Sequence, residues 1–390
     1  MIMATDNKDK VLNVPNLRFP EFKEVWKDSN IGKCFDLYSG NTPSRMEKEH
    51  FIGDVNWITS GELKEHYIGD TKERISEKAA ADNNLRILPV GTFVMAIYGL
   101  EAEGVRGTCS ITVKTSTISQ ACMAFTPKSN VSNEFLYSWY KKHGNKIGIR
   151  YAQGTKQQNL SYDIIEKFPI RYPSIEEQEK LNTFISLLDS RIATQNKIIE
   201  DLKKLKVAIR DKQLNAIRKH YGLNYQICDL LDYEQPTKYV VTDTEYSEDR
   251  SKTPVLTANK AFILGYTDEN FGVYDNGACI ILDDFTLDCK YVDFPFKVKS
   301  SAIKILTVKS DCSLRYVYEY LNYMNLETIE HKRHYISEIE PMIIAYPTDK
   351  KRIDDFNSVM SSFERKIEIE NKYFQSLLTQ KDYLLSNLFI

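Results

Sequence analysis

The sequence predicts an α+β protein in which two similar globular domains alternate with two long helices that pair as an antiparallel coiled coil. Three observations carry this expectation. Two segments, 174–220 and 348–390, hold apolar residues at alternating three- and four-residue spacing. The two segments superpose when 175 is added to each number of the first. The stretches in front of them share short β-like phrases in the same order.

The first helix follows Tyr172-Pro173 and opens Ser174-Ile175-Glu176-Glu177-Gln178. Ser174 suits an N-cap, and the carboxylates suit a first turn, where unpaired N–H groups favour negative charge. One seam row is Ile185, Ile192, Ile199 and Lys206; the other is Leu181, Leu188, Gln195, Leu202 and Ile209. The second helix follows Tyr346-Pro347, with Thr348 in the capping place and Asp349 after it. Its rows are Met360, Ile367, Phe374 and Lys381, and Phe356, Phe363, Glu370, Leu377 and Leu384. The polar breaks coincide, Gln195 with Glu370 and Lys206 with Lys381. Two amphipathic helices on separate cores would match apolar positions without matching the breaks. At 1.5 Å per residue each helix spans about 60–70 Å, a length that favours mutual packing. A whole domain lies between them, so the chain can return beside its start and make the pair antiparallel.

The globular parts correspond more faintly. Ile31–Asp36 resembles Ile227–Asp232, and Trp57-Ile58-Thr59 resembles Val255-Leu256-Thr257. Gly91–Met95 resembles Gly277–Ile281, and Phe135-Leu136-Tyr137 resembles Tyr316-Val317-Tyr318. Each part closes with an apolar run ending Tyr-Pro, and each has a short helix expected near 133–143 or 313–325. The expected layout is a tail over 1–19, a first globular domain over 20–173, a helix over 174–220, a second globular domain over 221–347 and a helix over 348–390.

The bulk properties set outer bounds. The chain has 390 residues, 42% hydrophobic and 27% charged, as for a soluble protein with real cores. The longest apolar stretch, near Val90–Leu100, is too short to span a bilayer, and Met1–Lys10 is polar. A cytoplasmic protein with no membrane partner is expected. The seven cysteines are scattered without a C-x-x-C pair, so reduced thiols are expected. The net charge is −2, which excludes a surface that grips phosphates everywhere. DNA binding would need local basic patches or positive charge from partners.

The run Gly154-Thr155-Lys156-Gln157-Gln158-Asn159-Leu160-Ser161, then Phe168-Pro169-Ile170, then Pro173 and Glu176-Glu177-Gln178, resembles the end of a target-recognition domain entering a spacer helix in type I restriction-modification specificity subunits. Gly40-Asn41-Thr42-Pro43-Ser44 resembles the turn after the first strand of such domains. The layout covers about Pro20 to Ile390. The second half departs from the pattern: it has His334-Tyr335-Ile336-Ser337 in place of Asn159-Leu160-Ser161, and no Glu-Glu-Gln after its proline. The resemblance implies a recognition subunit without catalysis, reading a bipartite, asymmetric site in double-stranded DNA. It implies two adenine methyltransferase subunits and one or two endonuclease subunits as partners. S-adenosylmethionine, ATP and magnesium would belong to those partners, with no cofactor in this chain.

Candidate DNA contacts follow from residue chemistry. Gln and Asn pair with adenine edges, and Lys and Arg with guanine or phosphate. The polar loop of Lys156, Gln157, Gln158 and Asn159 comes first. Thr42, Ser44 and Arg45 sit in a turn, and Tyr98 and Arg106 in a glycine-punctuated loop. In the second domain Lys332, Arg333 and His334 form a basic knot at the position of the first domain's polar loop. Ordinary turn chemistry and solvated charge are the competing readings. The coiled-coil seam is expected at Ile185, Leu188, Ile192, Leu202, Phe363, Ile367, Phe374 and Leu377. No Pro-Pro pocket, phosphate-loop lysine, H-E-x-x-H or G-x-S-x-G occurs. Asp283, Asp284, Asp288 and Lys290 only superficially suggest a nuclease and read as loop charges. No metal ligand set is expected. The rival reading is a coiled-coil scaffold whose two heads bind proteins, which near-neutral charge favours.

Overall fold

The computed structural model describes residues 13–101, 104–154, 158–259, 261–309, 312–328 and 332–390, and the backbone of 2–3. The chain divides into two compact units, 1–196 with 373–390, and 197–372. Both divisions fall inside long helices, so each unit contains part of each.

In unit 1 the main sheet contains β1 (Phe35–Ser39), β2 (Phe93–Ala96), β3 (Cys109–Thr112) and β4 (Cys122–Pro127) in the order β1-β4-β2-β3, with Tyr67–Ile68 parallel to β3 at the far edge. All four residues of β2 are buried, as its unbroken apolar run requires of a central strand. A smaller sheet sets Val55–Ile58 between Ser116–Ile118, parallel, and Arg74–Ile75, antiparallel. Helix α1 (Asn133–Tyr151) packs on the main sheet. Edge-to-face aromatics fill the core, Phe93 with Phe125 at 5.1 Å and Trp26 with Phe135 at 5.7 Å. Helix α1 runs past the expected end at 143, through Gly144 and Gly148. Both glycines are close-approach positions: a Cβ on Gly144 would strike the Tyr140 ring, and one on Gly148 the Arg106 stem.

Helix α2 spans Ile175–Tyr221. Ser174 caps it, its Oγ accepting from Glu177 N at 3.4 Å. In unit 2, β5 (Leu231–Glu234), β6 (Cys279–Asp283), β7 (Cys289–Val292) and β8 (Ile303–Val308) form a sheet in the order β5-β8-β6-β7. This is the strand order of unit 1, and the pairs are antiparallel in both. The smaller sheet repeats too, with Thr253–Leu256 between parallel Lys297–Val298 and antiparallel Ile263–Thr267. Helices α3 (Leu314–Met324) and α4 (Lys350–Leu388) complete the unit 2 order. Thr348, the expected cap of α4, is replaced by Asp349, which accepts from Lys351 N at 3.0 Å. Its carboxylate is the better acceptor at a positive helix end.

Two-stranded ladders close each globular part, Lys27–Asn30 on Pro169–Tyr172 and Tyr225–Gln226 on Ile343–Ile344. Entry and exit of each part therefore lie side by side, which starts the next helix where the part began. Beyond each ladder the caps repeat. Ser132 and Ser313 cap α1 and α3, and Asn182 and Asn357, 175 apart in sequence, each donate to the capping hydroxyl, at 3.3 and 2.8 Å. The Ser132 N–H is taken by Gln178 Oε1 at 2.9 Å, the Ser313 N–H by the Tyr346 hydroxyl at 2.7 Å. This substitution explains why the second helix manages without the Glu-Glu-Gln entry.

Within unit 1, Leu181 and Ile185 of α2 share a core with Leu384 and Leu388 of α4 and with Phe389 just beyond its end, and Lys381 pairs with Asp189 at 2.5 Å. Within unit 2, Leu214 and Ile217 of α2 share a core with Ile353, Phe356 and Met360 of α4, and Lys206 pairs with Glu364 at 2.9 Å. These ion pairs are related by the same shift of 175. Ile185 and Leu377 are buried, and Leu188, Ile192, Leu202, Phe363, Ile367 and Phe374 partly buried. Among the described residues no helix is long and apolar enough to cross a membrane. The seven cysteines, all among the described residues, form no disulfide, and burial pushes the thiols of Cys109, Cys122, Cys279 and Cys289 up to about 12.

Candidate nucleic-acid interface

In unit 1 two of the expected contact loops come together. The first follows β2, over 97–101 and 104–108; the second follows α1, over 152–154 and 158–160. Tyr98 bridges Asn159, Leu160 N donates to Ile97 O at 2.9 Å, and Leu100 N donates to Gln158 O at 3.1 Å. Asn159 and Gln153 exchange both backbone hydrogen bonds, at 2.8 and 2.9 Å. Glu101 accepts from Gln158 N at 2.7 Å, and this bond holds its carboxyl below the usual range.

Arg106 crosses between these loops and α1. Its stem lies against Gly148, and its Nη2 donates to Gln158 Oε1 at 3.1 Å, while its Nε is buried without a partner. Gly107, at φ 76°, lies against the α1 backbone, where a Cβ would sit 2.9 Å from Asn145 N. An arginine fork beside a glutamine amide offers two donors and a mixed donor–acceptor group, the chemistry that reads base edges. Asn159 serves differently, because its backbone holds the loop and its Oδ1 is buried without a partner. Lys156 and Gln157 lie outside the described residues.

Thr42, Ser44 and Arg45 belong to a second group, over the smaller sheet. Asn41 O accepts from Trp57 Nε1 at 3.2 Å, which fixes the turn. Arg45 forms a two-pronged pair with Glu73, at 2.6 and 2.9 Å, and lies over the Phe51 and Trp57 rings. Ser44 is exposed and Thr42 partly buried. The Glu73 bond raises the Arg45 guanidinium and lowers the carboxylate.

In unit 2 the basic knot separates. His334 is only 2% exposed, so it is not presented as a phosphate contact. Its N–H donates to Asp284 O and Oδ1, Tyr335 N donates to Asp284 Oδ1 at 2.8 Å, and its ring Nδ1 lies 2.9 Å from Glu338. Lys332 pairs with Glu338 at 3.1 Å, and Arg333 lies over Phe285. His334 and Lys332 bonds hold the Glu338 carboxyl down. Asp284 does lie in the turn after β6, but it is no solvated charge: it is 1% exposed and faces the buried Lys304 ammonium at 3.5 Å. Burial converts both residues from surface charge into a clamp on the segment after Arg333. Sequence carried one signal for this, an acid ending an apolar strand, which also fits an exposed turn.

Comparison with known proteins agrees with this architecture. Residues 23–204 match the model of the type I restriction modification DNA specificity domain. The chain is 47% identical over 125 residues to the EcoR124I/EcoR124II specificity subunit of Escherichia coli, covering 30% of this chain and 31% of that protein. It is 31% identical over 233 residues to the MjaIX specificity subunit of Methanocaldococcus jannaschii, covering 57% and 53%. The matches thus span about a third and a half of these relatives' lengths. In fold, the chain resembles the type I restriction-modification S subunit from M. genitalium over 97% of its length and 99% of that chain, with TM-score 0.57 at 16% identity. A chain from a study of complex assembly in the type I system gives TM-score 0.58 at 11% identity, covering 93% and 97%. Over residues 23–204, this chain is thus similar to the type I restriction modification DNA specificity domain.

Proposed function

We propose that this chain is the DNA-reading subunit of a type I restriction-modification assembly and carries no catalysis of its own. The observation that carries the reading is the convergence of Arg106 and Gln158 on one ledge of unit 1, inside the segment matched to a DNA specificity domain. In this reading Arg106, Lys156, Gln157 and Gln158 contact bases. Tyr98 and Asn159 hold the ledge, and Thr42, Ser44 and Arg45 contact the backbone nearby. The domains keep the layout 20–173 and 221–347, with 174–220 and 348–390 as spacer helices paired as an antiparallel coiled coil. The interhelical pairs Lys381–Asp189 and Lys206–Glu364 support that pairing.

Each domain reads one half of a split, asymmetric site, the second through Lys332 and Arg333 in place of the glutamine loop. The repeated sheet order with different loop residues supports two heads with two different half-sites. Two adenine methyltransferase subunits and one or two endonuclease subunits are the partners, and S-adenosylmethionine, ATP and magnesium act there.

The test is selection from a randomised duplex library by the chain bound to a cognate methyltransferase subunit. Recovered sequences should converge on two short blocks separated by a fixed unread gap. Binding should fall steeply between low and moderate salt, as phosphate neutralisation dictates. Binding indifferent to DNA would favour the scaffold reading, in which the heads hold proteins.

A further inference from the structure

A groove of about 430 Å³ lies between α2 and α4 within unit 2. Its counterpart in unit 1, found by the shift of 175, is filled by the chain itself. Arg18 grips Glu177 through two bonds, at 2.8 and 2.7 Å. Phe19 packs on Phe184 at 5.8 Å between ring centroids, Glu21 pairs with Lys180, and Asn16 donates to Asn387 at 3.3 Å. Leu17 joins the core that holds Leu384 and Leu388.

Among the described residues unit 2 has no such segment. There the chain leaves α2 at Tyr221, turns at Gly222 and enters its first strand at Tyr225. The groove walls are nonetheless kept. Val359 replaces Phe184 and Ile209 replaces Leu384, both partly exposed. Gln213 replaces the fully buried Leu388, and its Oε1 is buried without a hydrogen-bond partner. An extended segment laid along this wall would supply a backbone N–H to that oxygen, as buried acceptors require. The charges are reversed: exposed Arg352 stands where unit 1 has Glu177, and exposed Asp355 where it has Lys180.

We propose that the unit 2 groove docks an extended segment of a partner protein that mirrors residues 16–21 with opposite charges. It carries a carboxylate facing Arg352, an apolar side chain next to it against Val359 and Ile209, and a cation three positions after the carboxylate facing Asp355. A second copy's Asn16–Glu21 segment is the wrong occupant, because Arg18 would meet Arg352 and Glu21 would meet Asp355. Like charges across an interface discriminate against a partner of this kind.

The probe is a fluorescein-labelled peptide of residues 15–26 carrying Arg18→Glu and Glu21→Lys, titrated with the full chain by anisotropy. It should bind saturably, and Arg352→Glu should weaken it by about ten-fold, the loss of one charge-assisted contact. The unaltered 15–26 peptide should not bind the natural chain but should bind the chain carrying Arg352→Glu and Asp355→Lys. Both side chains are exposed, and unchanged circular dichroism checks that the variants fold. No binding of the reversed-charge peptide, or binding indifferent to Arg352→Glu, would overturn the proposal.

Discussion

At the scale of single residues, buried charge sets the sharpest expectations. Asp284 and Lys304 are both nearly inaccessible, so removing one leaves the other uncompensated. Asp284→Ala should cost about 3–5 kcal/mol of stability, the usual penalty for breaking a buried pair, read from urea unfolding. Glu269 behaves differently because it titrates. Burial pushes its carboxyl up, but the Lys297 ammonium, the Thr242 hydroxyl and the backbone N–H groups of Thr242 and Asp243 outweigh this and hold it at about 2, below the ordinary 4.5. A carboxylate depressed by folding adds stability above its unfolded pKa and loses it as pH falls. The urea midpoint should therefore drop between pH 4.5 and 2, and Glu269→Gln should flatten that drop. Gly148→Ala tests the candidate site itself. The helix gains about 1 kcal/mol of propensity, but the new methyl displaces the Arg106 stem. Readout of the first half-site should weaken while the second is unchanged.

At the scale of elements, the two interhelical ion pairs are the testable joints. Lys381 and Asp189 are each about a fifth to a quarter exposed, at 20% and 24%. Lys381→Glu should destabilise the chain, and adding Asp189→Lys should restore about 1 kcal/mol in a double-mutant cycle. Much at this scale was legible in the sequence. The heptad rows, the shared breaks at Gln195 and Lys206 and the Ser174 cap are local patterns with fixed spacing. The candidate site was legible only in part. Arg106 and Gln158 stood out as separate loop residues, but their contact joins positions 52 apart and depends on Gly148 making room. His334 read as a surface base because charge runs are usually solvated; the acid that draws its backbone inward, Asp284, lies 50 residues earlier. Spacing patterns report periodic elements, whereas burial of a loop residue depends on partners supplied by another strand.

At the scale of the whole molecule, the repeat is the functional statement. Both units keep one sheet order, one ladder at the neck and one capping serine with its asparagine, yet the loops on these frames differ. Under the proposed function, a shared frame with different loops suits two readers of different sequences joined by spacer helices. Lengthening both helices by the same few residues should widen the unread gap and leave both half-sites unchanged. An altered half-site with an unchanged gap would contradict the spacer role of α2 and α4. Two-headed DNA reading is tested by sequencing methylated bases in genomic DNA from cells that co-express this chain with a cognate adenine methyltransferase subunit. Such DNA should carry a new split, asymmetric motif methylated on adenine in both halves. A soluble complex that leaves no new motif would contradict that reading.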